Sequence, residues 1–264
     1  MFRRISALSL LLYSVQAQAG EVTVTGSLFQ SHITAPGDSI QGSVEVQNNT
    51  DELQNVLLYQ TDYLYKADGS NIFGETGSHD RSNGGWVQLE SEQIELQPTE
   101  TRTIFYTVAV PDDETLFGTY WSVIMIEGGS FTDVENEEAE REIAIKTQFR
   151  YGVQVVNTLP GTSEVDLAIF DRRLEATETA RVLEIDMINQ GTRLSRPVVW
   201  AEIFTEDGIS TGRLESERKR IHPGCSVQYA FDLSELGVGM YTALVVVDAG
   251  DDGVVGSQYT IELR

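Results

Sequence analysis

Leu116-Phe117-Gly118-Thr119-Tyr120, leading into the apolar run 121–126, returns later in the chain as Leu236-Gly237-Val238-Gly239-Met240-Tyr241, leading into 242–247. Two further elements recur in the same order. Val44-Glu45-Val46-Gln47-Asn48-Asn49 ends an alternating stretch in a pair of amides, and Ile185-Asp186-Met187-Ile188-Asn189-Gln190 does the same. Ile94-Glu95-Leu96-Gln97-Pro98 precedes an alternating stretch, as does Ile221-His222-Pro223-Gly224. The chain is thus two copies of one plan. Period-two alternation runs throughout, at 44–46, 104–110, 182–188, 227–233 and 259–263. Turn signals such as Pro36-Gly37-Asp38, Asp68-Gly69 and Asp207-Gly208 separate these strands. A glycine-assisted crossing between sheets, with a tyrosine opening the next strand, makes a corner in which the ring packs inward and the hydroxyl reaches backbone. Tyr120 and Tyr241 are predicted to occupy such corners. About seven short strands per copy predict an all-β protein of two tandem immunoglobulin-like β-sandwiches. The first is expected to span residues 20–158 and the second 161–264, joined at Leu159-Pro160-Gly161.

Residues 1–19 read as a signal peptide. Arg3 and Arg4 are followed by an apolar stretch with Leu10, Leu11 and Leu12, then by Ala17-Gln18-Ala19, so cleavage is expected before Gly20. That stretch is shorter than the roughly 20 residues a bilayer span needs. Export predicts a periplasmic location, or alternatively the cell surface. The net charge of −23 opposes binding to nucleic acid and to anionic membranes. Cys225 is the single cysteine, so no internal disulfide can form; lying beside Gly224 and an alternating stretch, it reads as a small buried hydrophobe.

The residues of catalysis are thinly represented. His32, His79 and His222 are the only histidines and stand in separate turn contexts. His79-Asp80-Arg81-Ser82 invites comparison with a nucleophile relay, but sequence neighbours rarely converge in that geometry. No spacing fits zinc, no glycine-rich phosphate loop is present, and no cofactor is expected. Asp248, Asp251 and Asp252, and the acidic run through Asp133, Glu135, Glu137 and Glu138, are the right chemistry for calcium but lack a calcium loop's ligand spacing, which favours solvated loops. The long segment 71–86 ends at Trp86, read as the first residue of a strand that ties the segment to the core.

The segment 143–156 points to binding. Ile143, Ile145, Thr147, Phe149, Tyr151, Val153 and Val155 share one face; Ala144, Lys146, Gln148, Arg150 and Gln154 share the other. An alternation of this length outruns an ordinary strand of five or six residues. It predicts a strand longer than its partners, with an edge free to pair with another chain through Ile143, Ile145, Phe149, Arg150 and Tyr151.

This layout resembles the periplasmic pilus chaperones, two immunoglobulin-like domains behind a signal peptide. Residues 144–151, Ala-Ile-Lys-Thr-Gln-Phe-Arg-Tyr, are similar to that family's long last strand of domain one, which follows a loop. The resemblance implies a chaperone that lends the strand to an unfinished pilin-like subunit. It also implies that Arg150 stands where the family places a lysine gripping the subunit's terminal carboxylate. Residues 21–65 contain no Lys or Arg, so the family's arginine in the first strand has no counterpart. The pattern Pro36-Gly37, Asn48-Asn49, Pro98-x-Glu100 and Pro111 equally resembles envelope or surface modules that bind cell-wall polymer or another surface protein. Both readings make the chain a non-catalytic protein whose partner is not nucleic acid.

Overall fold

The computed structural model describes residues 21–129, 149–161, 163–177 and 180–264. The signal segment 1–19, the acidic run 133–142 and two of the expected edge residues, Ile143 and Ile145, lie outside the described residues. The first ten strands are β1 (Val22–Thr25), β2 (Phe29–Ile33), β3 (Ser39–Asn48), β4 (Gln54–Tyr65), β5 (Asn71–Gly74), β6 (Val87–Leu89), β7 (Gln93–Leu96), β8 (Thr101–Ala109), β9 (Gly118–Gly129) and β10 (Arg150–Leu159). They form one sheet in the order β1-β3-β8-β6 and a second in the order β2-β10-β9-β4-β5, with β7 also pairing β4. The remaining seven are β11 (Leu167–Ala176), β12 (Arg181–Asn189), β13 (Val198–Thr205), β14 (Ser210–Glu215), β15 (Ser226–Asp232), β16 (Gly239–Asp248) and β17 (Val254–Leu263). They make sheets β11-β12-β15 and β14-β13-β16-β17. The protein is all-β, two β-sandwiches in tandem.

Alternation along each strand builds each core. Val44 and Val46 of β3 and Ile104, Tyr106 and Val108 of β8 meet Val56 and Leu58 of β4, Ile124 and Ile126 of β9, and Val153 and Val155 of β10. In the second sandwich, Ile185, Met187, Tyr229 and Phe231 meet Val199, Ile203, Val245 and Val247. Each such side chain contributes about 1.5–3 kcal/mol on burial. Gly42 of β3 is required by this packing, because a Cβ there would overlap the Tyr106 ring. That ring crosses β3 so that its hydroxyl donates to Gln30 Oε1 at 2.6 Å, tying β8 to β2.

The repeated elements fold alike in one case and differently in the other. Asn48 and Asn189 are both fully buried. Asn48 Nδ2 donates to the carbonyls of Glu52, Leu96 and Gln97; Asn189 Nδ2 donates to those of Arg193 and Ile221. Each amide therefore stitches a strand end to the neighbouring loops, which is why the two Ile-x-x-x-Pro-like segments recur with them. The tyrosine corners diverge. Tyr241 Oη donates to the Gly237 carbonyl at 3.1 Å, as the corner requires. Tyr120 instead lays its ring 4.8 Å from that of Trp86 and beneath the Arg81 guanidinium. Trp86 is also corrected in detail: it closes a 3-10 turn, Gly84–Trp86, and the strand begins at Val87.

Candidate functional site: the β10 edge and the inter-sandwich cleft

β10 pairs with β9 antiparallel along its whole length, from Arg150↔Glu127 to Leu159↔Gly118. On its other edge it pairs with β2 in parallel, only from Gln154↔Phe29 to Thr158↔Ile33. Among the described residues, Arg150 to Val153 have no neighbour there. The Gln154 N–H donates to the Leu28 carbonyl at 2.9 Å. By the two-residue period of a strand, Gly152 and Arg150 also turn their N–H and C=O groups to this open edge.

The expected edge residues separate into distinct roles. Phe149 is 45% exposed. Tyr151 packs against the first sandwich's own core, and Val153 and Val155 are buried in it. The apolar face from Tyr151 onward therefore belongs to this chain. Arg150 is already engaged: its Nε lies 3.0 Å from Glu127 Oε2 across the β9–β10 pair. Tyr59 Oη donates to the same carboxylate oxygen at 3.3 Å. The cation suggested for a partner's carboxylate is thus held by an internal one.

Below the open edge, the two sandwiches bound a cleft of about 530 Å³, lined by Phe29, Tyr63, Tyr65, Gly152, Gln154 and Arg220 among others. Gly152 keeps its wall bare; a Cβ there would come within 3.0 Å of Val123 Cγ1. Arg220, from the segment before β15, reaches across from the second sandwich and stacks its guanidinium 3.9 Å over the Phe29 ring. Its main chain is fixed, because Tyr65 Oη donates to the Arg220 carbonyl at 2.8 Å and accepts the His222 N–H at 3.0 Å. Among the described residues no carboxylate bridges Arg220. Burial, and then the neighbouring Arg196, lower its pKa, so an anion entering the cleft would relieve both. The sequence carried a signal for this residue: Arg218-Lys219-Arg220 is a run of three cations in a chain of net charge −23.

The cleft's floor is a packed seam. Trp121, Val156 and Cys225 form one buried cluster with Phe29, Leu64, Tyr65 and Leu194 around it. The Trp121 ring lies between two imidazoles, 4.5 Å from His79 and 4.5 Å from His222. His222 Nε2 meets Gln154 Oε1 at 3.0 Å, which joins the second sandwich to the cleft wall. The Thr119 N–H donates to the Thr192 carbonyl at 2.8 Å. This approach requires Gly118, with φ +80° and a Cβ position that would overlap the Thr192 carbonyl. Burial pushes the Cys225 thiol up to about 11 and leaves it inert.

The serines beside His79 bond to Asp62 rather than to its imidazole. Ser82 Oγ donates to Asp62 Oδ1 at 2.6 Å, and Ser78 N–H and Oγ donate to Asp62 Oδ2. His79 Nε2 stands 3.9 Å from Asp62 Oδ2. Asp62 is a buried clamp on the loop that carries His79 to Trp121. Asp252, suggested as a cation ligand, is bonded to Arg193, and no cluster of three metal-binding side chains occurs among the described residues.

No family model matches the chain, and no curated protein matches it by sequence. Solved structures do resemble it. The class 5 fimbriae chaperone CfaA is 13% identical, with 90% of this chain and 98% of that one covered, at a TM-score of 0.47. The Salmonella enterica SafA pilin–SafB chaperone complex gives 11% identity, 94% and 99% coverage and a TM-score of 0.42. The E. coli chaperone DraB gives 14%, 92%, 96% and 0.42. No helix among the described residues is long and apolar enough to cross a membrane.

Proposed function

We propose that this chain is an exported, non-catalytic binding protein of the periplasmic assembly-chaperone kind, which takes a partner strand along the open edge of β10 and seats the partner's carboxylate on Arg220. The observation that supports it most is the continuity of the two features: the main-chain groups of Gly152 face an unpaired edge, and the same residue forms the wall of the cleft beside Arg220. Added main-chain hydrogen bonds supply affinity, and exposed Phe149 at the edge's end supplies an apolar contact. The carboxylate is assigned to Arg220 rather than Arg150 because Glu127 already neutralises Arg150.

The test uses extended peptides of alternating apolar residues, each made with a free C-terminal carboxylate and as the amide. The carboxylate form is expected to bind the protein lacking residues 1–19 about tenfold or more tightly than the amide, the worth of a charge-assisted hydrogen bond. Arg220→Ala abolishes that difference, whereas Arg150→Ala leaves it. Gly152→Pro, which removes an edge donor while sparing the β9 side, weakens both forms. Retention on cell-wall polymer with no peptide binding would instead make the chain a surface module and overturn the assignment.

A further inference from the structure

The edges of the second sandwich are not treated alike, and the difference marks an interaction surface. An open strand edge is a template for another chain, so edges are normally short, bulged or covered by charge. Among the described edges, β1 and β5 have four residues and β6 three. β11 shifts register between Ile169 and Asp171, and β14's pairing shifts at Ile203/Phe204. The free side of β15 is covered by Lys219, whose Nζ donates to the Gln228 carbonyl at 2.5 Å.

β17 has none of these protections. It is ten residues long, pairs with β16 in unbroken register from Val254↔Asp248 to Leu263↔Gly239, and contains no Lys or Pro. Its beginning is apolar and open, with Val254 62% and Val255 51% exposed. Arg172 of β11 covers the inward Tyr259 ring at 4.5 Å, and among the described residues no strand pairs with the outer edge of β17. The hairpin fixes which groups face outward. The Ala249 N–H donates to the Gly253 carbonyl, so the bonded pairs with β16 fall at every second residue from there. Odd-numbered residues of β17 turn to β16, and Val254, Gly256, Gln258, Thr260 and Glu262 present their N–H and C=O groups to solvent.

We propose that this edge pairs with β17 of a second copy, antiparallel about a two-fold axis through Gln258. That register keeps every outward residue in a bonded pair: Gln258 with itself, Gly256 with Thr260, Val254 with Glu262. It also places Arg264 of one copy opposite Asp252 of the other. Among the described residues, exposed Arg264 is held by its own Glu262 and Asp252 by Arg193, so each end of the ladder alternates positive and negative groups. The occupant is a second copy because this charge match is self-complementary. The shared net charge of −23 opposes association at long range, so the dimer strengthens as salt screens it.

Sedimentation of the protein lacking residues 1–19, at micromolar concentration, is expected to show a monomer–dimer equilibrium that shifts to dimer with added salt and is lost in Gln258→Pro. A second pair of variants reads the register without depending on that proline. A residue on the axis meets itself at the bonded-pair spacing of about 5.5 Å, which suits a disulfide. Gln258→Cys therefore cross-links under mild oxidation and Thr260→Cys does not; buried Cys225 stays silent in both. A monomer at every salt concentration, or equal cross-linking of the two variants, overturns the proposal. Peptide binding at β10 is unchanged by Gln258→Pro, so failure here leaves the proposed function standing.

Discussion

Asn48→Leu is expected to destabilise the first sandwich by about 1–3 kcal/mol, and Asn189→Leu the second by a similar amount, although neither residue touches the cleft. Leucine matches asparagine in bulk and stays buried, but it donates and accepts nothing. In Asn48→Leu the Thr50 N–H loses its acceptor, and the carbonyls of Glu52, Leu96 and Gln97 each lose one donor, although Glu52 keeps Thr50 Oγ1 and Gln97 keeps the Glu100 N–H. In Asn189→Leu the Gly191 N–H loses its acceptor and the carbonyls of Arg193 and Ile221 each lose one donor, Ile221 keeping the Ser195 N–H. An orphaned buried group costs about 1–3 kcal/mol, against a domain stability of about 5–15 kcal/mol. Equilibrium urea unfolding measures this directly. A loss below about 1 kcal/mol would mean that water replaces the amide and that these loops are not pinned by it.

That prediction rests on residues the sequence displayed openly. The paired amides and the Leu-x-Gly-x-Tyr element are local patterns, and a local pattern that occurs twice identifies two similar folding units. The two sandwiches were legible for the same reason: alternation at period two names the inward face of every strand. Alternation does not say what covers that face. Tyr151, Val153 and Val155 alternate as an interaction edge should, yet they are packed under their own sandwich. Only register distinguishes the cases, because the open part of β10 is defined by where β2 ceases to pair with it. Arg150 shows the same limit. Its partner Glu127 is a cross-strand neighbour, invisible until β9 and β10 are aligned. Arg220 belongs to the second sandwich and Phe29 and Gly152 to the first, so their cleft has no linear signature beyond a run of three cations.

The seam beneath that cleft should make the protein acid-sensitive through His222. The ring is fully buried, and its pKa is pushed down to about 3, first by burial and then by His79 and Arg220 nearby. Around it stand the Trp121 ring, Gln154 of β10, Tyr65 of β4 and Phe29 of β2; His79 opposite carries the Asp62 carboxylate at 3.9 Å. None of these offers the imidazolium a direct counter-ion. In the unfolded chain His222 titrates near the ordinary 6.5, so between about 6.5 and 3 the unfolded state binds a proton that the folded state refuses. Stability is therefore complete above that window and falls as pH drops through it, by about 1.4 kcal/mol per unit. Burial lowers the His79 pKa as well and adds to the loss with the same sign. Many carboxylates titrate at the acid end too, so the decisive quantity is a difference between proteins. His222→Gln retains an amide donor for Gln154 and has no proton to take up. Between pH 6.5 and 4.5 the wild type is expected to lose about 2 kcal/mol more than this variant in urea unfolding. Parallel pH profiles for the two proteins would show that the seam admits a charged imidazole, and that His222 is not sealed between the sandwiches as the Trp121 stack and the Gln154 bond require.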